Sequence, residues 1–432
     1  MSGFLDFFVQ FFSTPAIVLG LVALLGLLVQ RKTWQETMTG TLKTVTGYLI
    51  MTIGIGGLIA TLSPLTTMFG QAFKVEAIFR WDEPLVTQVA PMLGSQTALI
   101  LMFGFLFSLL LARVTPFKYI YLTGHHLWVH AGEVAILMWS LGLSGAALIV
   151  SGTILVGFYY VISPWAIHPF MKRLIGSDEY SLGHGNVFKY IVSISIARLF
   201  GKSTVSTEEM PAPKGLEFMR DMAISMSLIM LLIAIPSALL VGPEWVEENL
   251  SAGQHYLIYS FLIAVKFTAG VLVLLQGVRM LIAELIPAFR GISQRVVPGA
   301  VPALDVPVVI PFGPTALMLG TIIGTVTQFL TLAGLALIGW PVPLPSMIGA
   351  FFGAGHVAVL GNAIGGRRTA FIAAAVEGIF NPLLGSWAYK VALFGDLTPL
   401  NAINMYPSSS DAHVLALIVR AIGAIFGLEV SP

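Results

Sequence analysis

The sequence predicts an all-α polytopic membrane protein with about 10 to 11 transmembrane helices. Hydrophobic residues make up 56% of the 432 residues and charged residues only 10%, and the mean hydropathy is +0.89. A soluble domain carries about 25% charged residues, so this composition excludes an ordinary soluble protein. The formal net charge is +1, which gives no reason to expect a nucleic acid partner.

Ten apolar segments approach or exceed the length needed to cross a bilayer, which is about 20 residues. They lie near 15–30, 47–69, 95–113, 133–149, 150–167, 221–242, 257–282, 314–340, 369–393 and 413–429. The lipid bilayer is therefore an expected partner of the chain. Arg31, Lys32 and Lys43 follow the first segment, so we expect that connection on the cytoplasmic side.

Four shorter apolar pieces contain His, Gly or Pro and are too short to cross. They lie at 117–130, 186–200, 303–313 and 345–362. Interrupted segments in both halves of a chain are typical of re-entrant hairpins at a transporter binding site. We therefore expect an inverted repeat, with re-entrant hairpins near 117–130, 186–200 and 345–362.

The whole chain, 1–432, is predicted to be one transmembrane domain with two halves. The longest polar connection, 201–220, is the expected linker between a first half of about 1–200 and a second half of about 221–432. The chain has no cysteine. This excludes disulfides, thiolate metal sites and a phosphorylated cysteine within it.

The stretch 276–305 combines charge with broken backbone beside apolar segments. It holds three Arg residues, Glu284 and Asp305, together with three Pro and, between those prolines, Gly291 and Gly299. Such backbone at membrane depth is tolerated only where it is buried in protein or lines a watery cavity. The stretch is therefore the edge of a solute pathway or a cytoplasmic loop, and its charges favour the pathway.

Histidines cluster in the segment HHLWVHAGE, where His126, His130 and Glu133 share one helical face. Three interpretations fit them: a metal site, ordinary packing with a bond to a backbone carbonyl, or hydrogen bonding to a polyol. A zinc hydrolase has HExxH, and Glu133 is misplaced for that pattern. We therefore expect no metal ion and no cofactor, and favour polyol binding, since neutral imidazole offers one donor and one acceptor.

Two further polar residues stand alone in apolar surroundings. His184 lies between two glycines, which allows a ligand to approach closely; an ordinary helix-entry turn is the alternative. Asp305 is flanked by apolar residues, and a buried carboxylate is costly unless it is paired. A sugar hydroxyl would satisfy it, as would a salt bridge to Arg290 or Arg295.

The chain resembles the ascorbate-specific enzyme IIC membrane subunits of the bacterial phosphotransferase system. The stretch 276–305 carries the most specific similarity, and LTGHHLWVHAG (122–132), SLGHG (181–185) and FFGAGHVAVLGNAIGGRR (351–368) match in order and spacing. The resemblance implies a homodimer in the bacterial cytoplasmic membrane, with a scaffold domain and a moving core domain in each protomer. It also implies a sugar substrate, alternating access, and phosphate supplied through separate IIA and IIB proteins, so that the phosphoryl donor lies on another chain.

The resemblance also assigns site residues. His125, His184 and Asp305 would bind the substrate, with Asp305 a possible base. Further candidates are Gly54, which permits close backbone approach or helix packing, Asp82 and Glu83, which otherwise form an exposed turn, and His356. Val129 and Gly185 occupy positions where the family has glutamine.

The expected substrate follows from the same family resemblance. L-Ascorbate is the first candidate, and a related sugar acid or polyol is the second. Because two glutamines are missing, we expect weaker ascorbate binding than in relatives that keep them, and stronger binding after Val129→Gln with Gly185→Gln. The rival function is an ion-coupled secondary transporter of a small polar solute, which fits re-entrant hairpins and buried acids equally well.

Overall fold

The computed structural model describes residues 7, 10–11, 14–73, 77–210, 222–295, 297–343, 345–346, 349–402 and 404–425. Long α-helices dominate this part of the chain. They are α1 (Pro15–Val29), α2 (Trp34–Phe73), α3 (Asp82–Val114), α4 (Gly124–Ser140), α5 (Gly145–Ile175), α6 (Val187–Leu199), α7 (Met222–Val241), α8 (Pro243–Asn249), α9 (Tyr256–Arg295), α10 (Pro314–Leu337), α11 (His356–Lys390) and α12 (Ser410–Ile425). Three 3-10 segments, Thr207–Glu209, Val306–Phe312 and Thr398–Leu400, and a π-helical turn, Ala350–Gly355, lie between them.

The predicted all-α polytopic membrane class is confirmed. Within the described residues, five helical segments are long and apolar enough to cross a membrane: Pro91–Val114, Gly145–Ile175, Tyr256–Val273, Pro314–Leu337 and Ala350–Lys390. The total of 10 to 11 spans and the inverted repeat stay predictions.

Helix boundaries follow local sequence signals. The segments predicted at 133–149 and 150–167 are displaced, because Gly142 and Gly145, with φ of +76° and +53°, separate α4 from α5. Helix α5 ends at Gly176, which adopts the left-handed conformation typical of a helix C-cap. Helix α10 begins with Pro314, whose missing N–H is no loss in a first turn.

The short apolar pieces of the sequence form different kinds of secondary structure. Residues 117–130 form a strand and then the start of α4, while 186–200 form α6, whose 13 residues span about 20 Å and cannot cross a bilayer of about 30 Å. Residues 345–362 include the π-helical turn and the start of α11, which is kinked at Gly365 and Gly366. A re-entrant path for these pieces stays a prediction.

In the part of the chain that the structure describes, six short strands form two parallel three-stranded sheets. They are β1 (Ala77–Arg80), β2 (Tyr119–Tyr121), β3 (Ser181–Leu182), β4 (Val301–Leu304), β5 (Val342–Pro343) and β6 (Met405–Tyr406). One sheet has the order β5-β1-β6 and the other β2-β4-β3. Each sheet therefore joins strands from both halves of the chain. The sequence did not predict these strands.

The stretch 276–305 is less broken than its prolines and glycines suggest. Helix α9 continues to Arg295, so only the last part leaves the helix, where Gly299 turns with φ of +73° before β4. Arg279 is exposed. The side chains of Arg290 and Arg295 lie outside the described residues, so the predicted salt bridges to Asp305 are untested.

The first part of the predicted linker is bound to the second half. Glu208 accepts hydrogen bonds from the backbone N–H groups of Thr315 (3.1 Å) and Ala316 (2.9 Å), at the start of α10. Ser203 N–H donates to Gly365 O, and Arg367 N–H donates to Val205 O, each at 2.9 Å. Residues 211–220 lie outside the described part of the chain.

Candidate substrate site

One parallel sheet brings the three principal candidate residues together. His125 lies four residues after the end of β2, His184 two after β3, and Asp305 directly after β4. Tyr121 pairs with Ala303, and Leu182 pairs with Leu304, so the carboxyl ends of all three strands meet at one edge. Residues just beyond parallel strands therefore converge, as in the ligand sites of open parallel sheets.

The three side chains face a common cavity, as the sequence predicted. His125 Nε2 lies 3.9 Å from Asp305 Oδ2, and His184 Nδ1 lies 3.7 Å from Asp305 Oδ1. Asp305 also accepts a 2.7 Å hydrogen bond from the Val306 N–H. Burial raises the pKa of the Asp305 carboxyl, and the nearby His125 opposes part of that rise. The role of His125, His184 and Asp305 in substrate binding stays a prediction.

Asn186 fixes the tautomer of His184. Asn186 Oδ1 accepts from the Ser410 N–H at 3.2 Å, so the amide NH₂ faces His184 Nε2 at 3.1 Å. Nε2 is thus the acceptor, and in a neutral imidazole the proton lies on the other nitrogen, Nδ1. The Nδ1–H faces Asp305, at a distance too long for a direct hydrogen bond of ordinary strength.

The other parallel sheet, with the residues just after it, also contributes to the cavity lining. Asp82, just after β1, accepts hydrogen bonds from the N–H and Oγ of Ser408 and from the Ser409 N–H. Arg80 donates to the carbonyls of Asn381 (2.8 Å), Pro407 (3.2 Å) and Ser408 (3.3 Å). Asp82 is buried, so the alternative of an exposed turn is wrong for it. The side chain of Glu83 lies outside the described residues.

The cavity has a volume of about 130 Å³, whereas one water occupies about 30 Å³ in the liquid, so a small solute can enter. Its described lining residues come from both sheets and the helices around them. They are Arg80, Trp81, Asp82, His125, His126, His184, Asn186, Lys189, Asp305, Val306, Pro307, Gln328, Pro343, Ser346, Gly349, Phe352, Gly353, Asn381, Pro382 and Ser408.

A buried ion pair lies at the cavity wall. Lys189 Nζ is 2.7 Å from Glu377 Oε1, and both side chains are only 2% exposed. The sequence analysis did not select either Arg80 or Lys189 as a site residue. A signal for Lys189 was present, because an isolated lysine in an apolar segment marks a functional position in membrane proteins. Arg80 gave no comparable signal, since it precedes a run of polar residues.

The histidine face predicted on α4 is divided between two roles. His130 Nδ1 pairs with Glu133 Oε2 at 2.7 Å, and His130 Nε2 lies 3.3 Å from the Tyr159 hydroxyl. His126 lines the cavity instead. The metal arrangement of His126 with His130 and Glu133 is therefore not formed, because Glu133 holds the His130 ring.

Val129 and Gly185 are not among the described residues that line the cavity. Val129 is completely buried. A Cβ at Gly185 would lie 2.6 Å from His130 Cε1 and 2.8 Å from Ser409 Oγ, so a glutamine has no room there. This lack of space argues against a substrate contact by a glutamine at position 185, and the effect of Val129→Gln with Gly185→Gln on ascorbate binding stays a prediction.

Two other predicted residues also lie away from the described lining. Gly54 is a buried residue of α2, where a small side chain suits helix packing. His356 is fully buried; its Nδ1 lies 2.9 Å from Phe351 O, and its ring stacks on Phe352, which does line the cavity. His356 thus packs against a residue of the cavity wall, Phe352, and helps to hold it in position.

A cavity lined by residues of interrupted helices and short strands in a polytopic helical protein is the kind of site expected of a membrane permease. Residues 10–423 match the family described as the PTS system sugar-specific permease component, EIIC-GAT. The chain belongs to this family. It is 24% identical to the ascorbate-specific PTS system EIIC component of Mycoplasma pneumoniae over 438 residues, which cover 88% of this chain and 66% of that protein. The chain thus spans just under two thirds of the length of that relative.

Proposed function

We propose that the protein binds L-ascorbate, or a related sugar acid or polyol, and carries it across the bacterial cytoplasmic membrane by alternating access. Phosphate would be transferred to the sugar from a separate IIB protein, which receives it from IIA. Membership of the permease family and the ascorbate-specific relative support this proposal. A homodimer with a fixed scaffold and a mobile core belongs to the same proposal.

The observation that carries the proposal is the convergence of His125, His184 and Asp305 on one cavity. Sugar hydroxyls both donate and accept hydrogen bonds. The Asp305 carboxylate accepts, and the His184 Nδ1–H donates, so a hydroxyl placed between them satisfies both. Because the two side chains are 3.7 Å apart, the hydroxyl would contact both from the cavity side, about 2.8 Å from each polar atom.

Asp305 has a second role in this proposal. When the sugar oxygen attacks the phosphorus of the IIB phosphocysteine, the sulfur–phosphorus bond breaks and the hydroxyl proton must leave. Asp305 accepts that proton as a general base. The chain contains no cysteine, so the donor thiol belongs to another protein.

A binding screen tests the proposal. Calorimetry on the purified protein would compare L-ascorbate, related sugar acids and pentitols. The Asp305→Asn and His184→Ala variants should bind the best ligand at least tenfold more weakly, since each removes a hydrogen bond to a charged or buried group. Asp396→Asn, which changes an exposed carboxylate, is the matched control. Unchanged binding in both site variants would refute the assignment.

The rival, an ion-coupled transporter, needs no phosphate donor. Proteoliposomes containing the purified protein alone separate the two functions. Uptake driven by a proton or sodium gradient without IIA and IIB would favour the rival. Accumulation of sugar phosphate that requires IIA, IIB and the IIA phosphate donor would favour the proposal.

A further inference from the structure

An unsatisfied histidine lies at the centre of the cavity wall. His126 is 93% buried, since only 7% of it is exposed, and neither ring nitrogen has a hydrogen-bond partner among the described residues. His125 Nδ1 lacks one as well. Buried polar atoms are nearly always partnered, so unpaired imidazole nitrogens in residues that line a cavity indicate an absent ligand.

Asp305 adds a carboxylate that is paired with no lysine or arginine side chain among the described residues. Lys189 is paired with Glu377, and three backbone carbonyls occupy the Arg80 guanidinium, so neither cation is available to it. Among the described residues, its polar neighbours are His125, His184 and the Val306 N–H. A buried carboxylate needs a compensating charge, and neutral imidazoles do not supply one.

We propose that His125, His126 and Asp305 bind a divalent transition-metal ion, preferentially Zn²⁺. Two imidazoles and one carboxylate are a ligand set that zinc favours, and three protein ligands leave a fourth position open. Because all three residues line the cavity, a water molecule or a sugar hydroxyl in the cavity would complete the coordination.

The spacing is close to what the ion requires. One candidate ligand atom from each of the three residues lies within 4.8 Å of the other two, and the His125–Asp305 distance is 3.9 Å. A tetrahedral ion with bonds of about 2.1 Å holds its ligand atoms about 3.4 Å apart. Side-chain movements that shift the ligand atoms by about 1 Å would bring them to the separations that the ion requires.

His184 serves as an outer partner of the ion. Its Nε2 is bound by Asn186 and its Nδ1–H faces Asp305 Oδ1, so it orients the carboxylate and leaves Oδ2 towards His125. If ion binding draws the two side chains from 3.7 Å to hydrogen-bond distance, His184 becomes the kind of outer partner that typically holds a metal ligand in place. The sequence suggested a different set of metal ligands, His126, His130 and Glu133. Asp305 comes 179 positions after His126, and only the strand pairing brings the two residues near each other.

Cobalt and zinc titrations test the site. Co²⁺ added to the full-length protein in metal-free detergent solution should produce the intense visible absorption of a tetrahedral ion, and ZnCl₂ should abolish it. Calorimetry with ZnCl₂ should give about one ion per chain. His126→Ala and Asp305→Asn should each weaken Zn²⁺ binding at least tenfold, while His255→Ala, which removes an exposed histidine, should leave it unchanged.

The wild-type spectrum decides the proposal even if a variant fails to fold. Absence of tetrahedral cobalt absorption would overturn it, as would equal zinc affinity in the two site variants and the His255→Ala control. Sugar titrations in excess EDTA separate this inference from the proposed function. Sugar binding without any metal binding refutes only the metal site, and metal binding without binding of any sugar or polyol refutes only the function.

Discussion

Replacing Lys189 by Met tests how strongly the buried ion pair holds α6 against α11. Lys189 and Glu377 are separated by 2.7 Å and are each 2% exposed, so the substitution leaves a buried carboxylate without its cation. Breaking such a pair from one side costs about 3–5 kcal/mol of unfolding free energy. For a chain of this size, that loss corresponds to a fall of roughly 5 °C in the midpoint of thermal unfolding.

The chain offers a closely matched control. Lys172 and Asp178 are also 2.7 Å apart, but both side chains are 57% exposed. An exposed pair contributes about 0–1 kcal/mol, so Lys172→Met should lower the unfolding midpoint by at most about 1 °C. The two pairs therefore differ in burial and not in distance.

Thermal unfolding followed by intrinsic fluorescence, in one detergent and at one protein concentration, measures both variants. The double variant Lys189→Met with Glu377→Gln should recover part of the loss, because it removes the uncompensated charge. The reasoning is refuted if Lys189→Met and Lys172→Met lower the midpoint equally. It is also refuted if the double variant is as unstable as the sum of its two single variants.

Three further predictions concern glycines and the linker. Gly185→Gln should destabilise the fold by about 1–3 kcal/mol through overpacking against His130, and should weaken sugar binding; calorimetry showing tighter binding would contradict this. Gly366→Ala should also cost about 1–3 kcal/mol, because Gly366 has φ of +66° and a Cβ there would lie 2.4 Å from Ser203 O; an unchanged melting temperature would contradict it. Glu208→Ala removes the carboxylate from the start of α10 and should cost about 0.5–2 kcal/mol, with faster proteolysis after residue 200; equal cleavage rates would contradict it.

The sequence alone determined the class of protein and most helix positions. Hydropathy is a local property, because any apolar segment of sufficient length is stable across a bilayer whatever its neighbours are. The predicted segments 221–242 and 314–340 accordingly fall close to α7 and α10. The segments 133–149 and 150–167 were displaced because two glycines, and not hydropathy, set the boundary between α4 and α5.

Candidate residues could also be selected from sequence where a polar group stood alone. Asp305 and His184 were selected because an isolated carboxylate or imidazole in apolar surroundings requires a partner. Their convergence with His125 was predicted only through the family resemblance, since nothing in residue spacing relates positions 125, 184 and 305.

The tertiary structure decided which groups became partners. Strands of two to four residues have no readable periodicity, and they exist because segments from 122 to 326 positions apart hydrogen-bond to one another. This pairing places His126 beside Asp305 and leaves Val129 and Gly185 outside the described cavity lining. The sequence determines which groups can carry a charge. Only the tertiary structure determines the partner that neutralises each charge, because electrostatic pairing depends on distance in space and on burial.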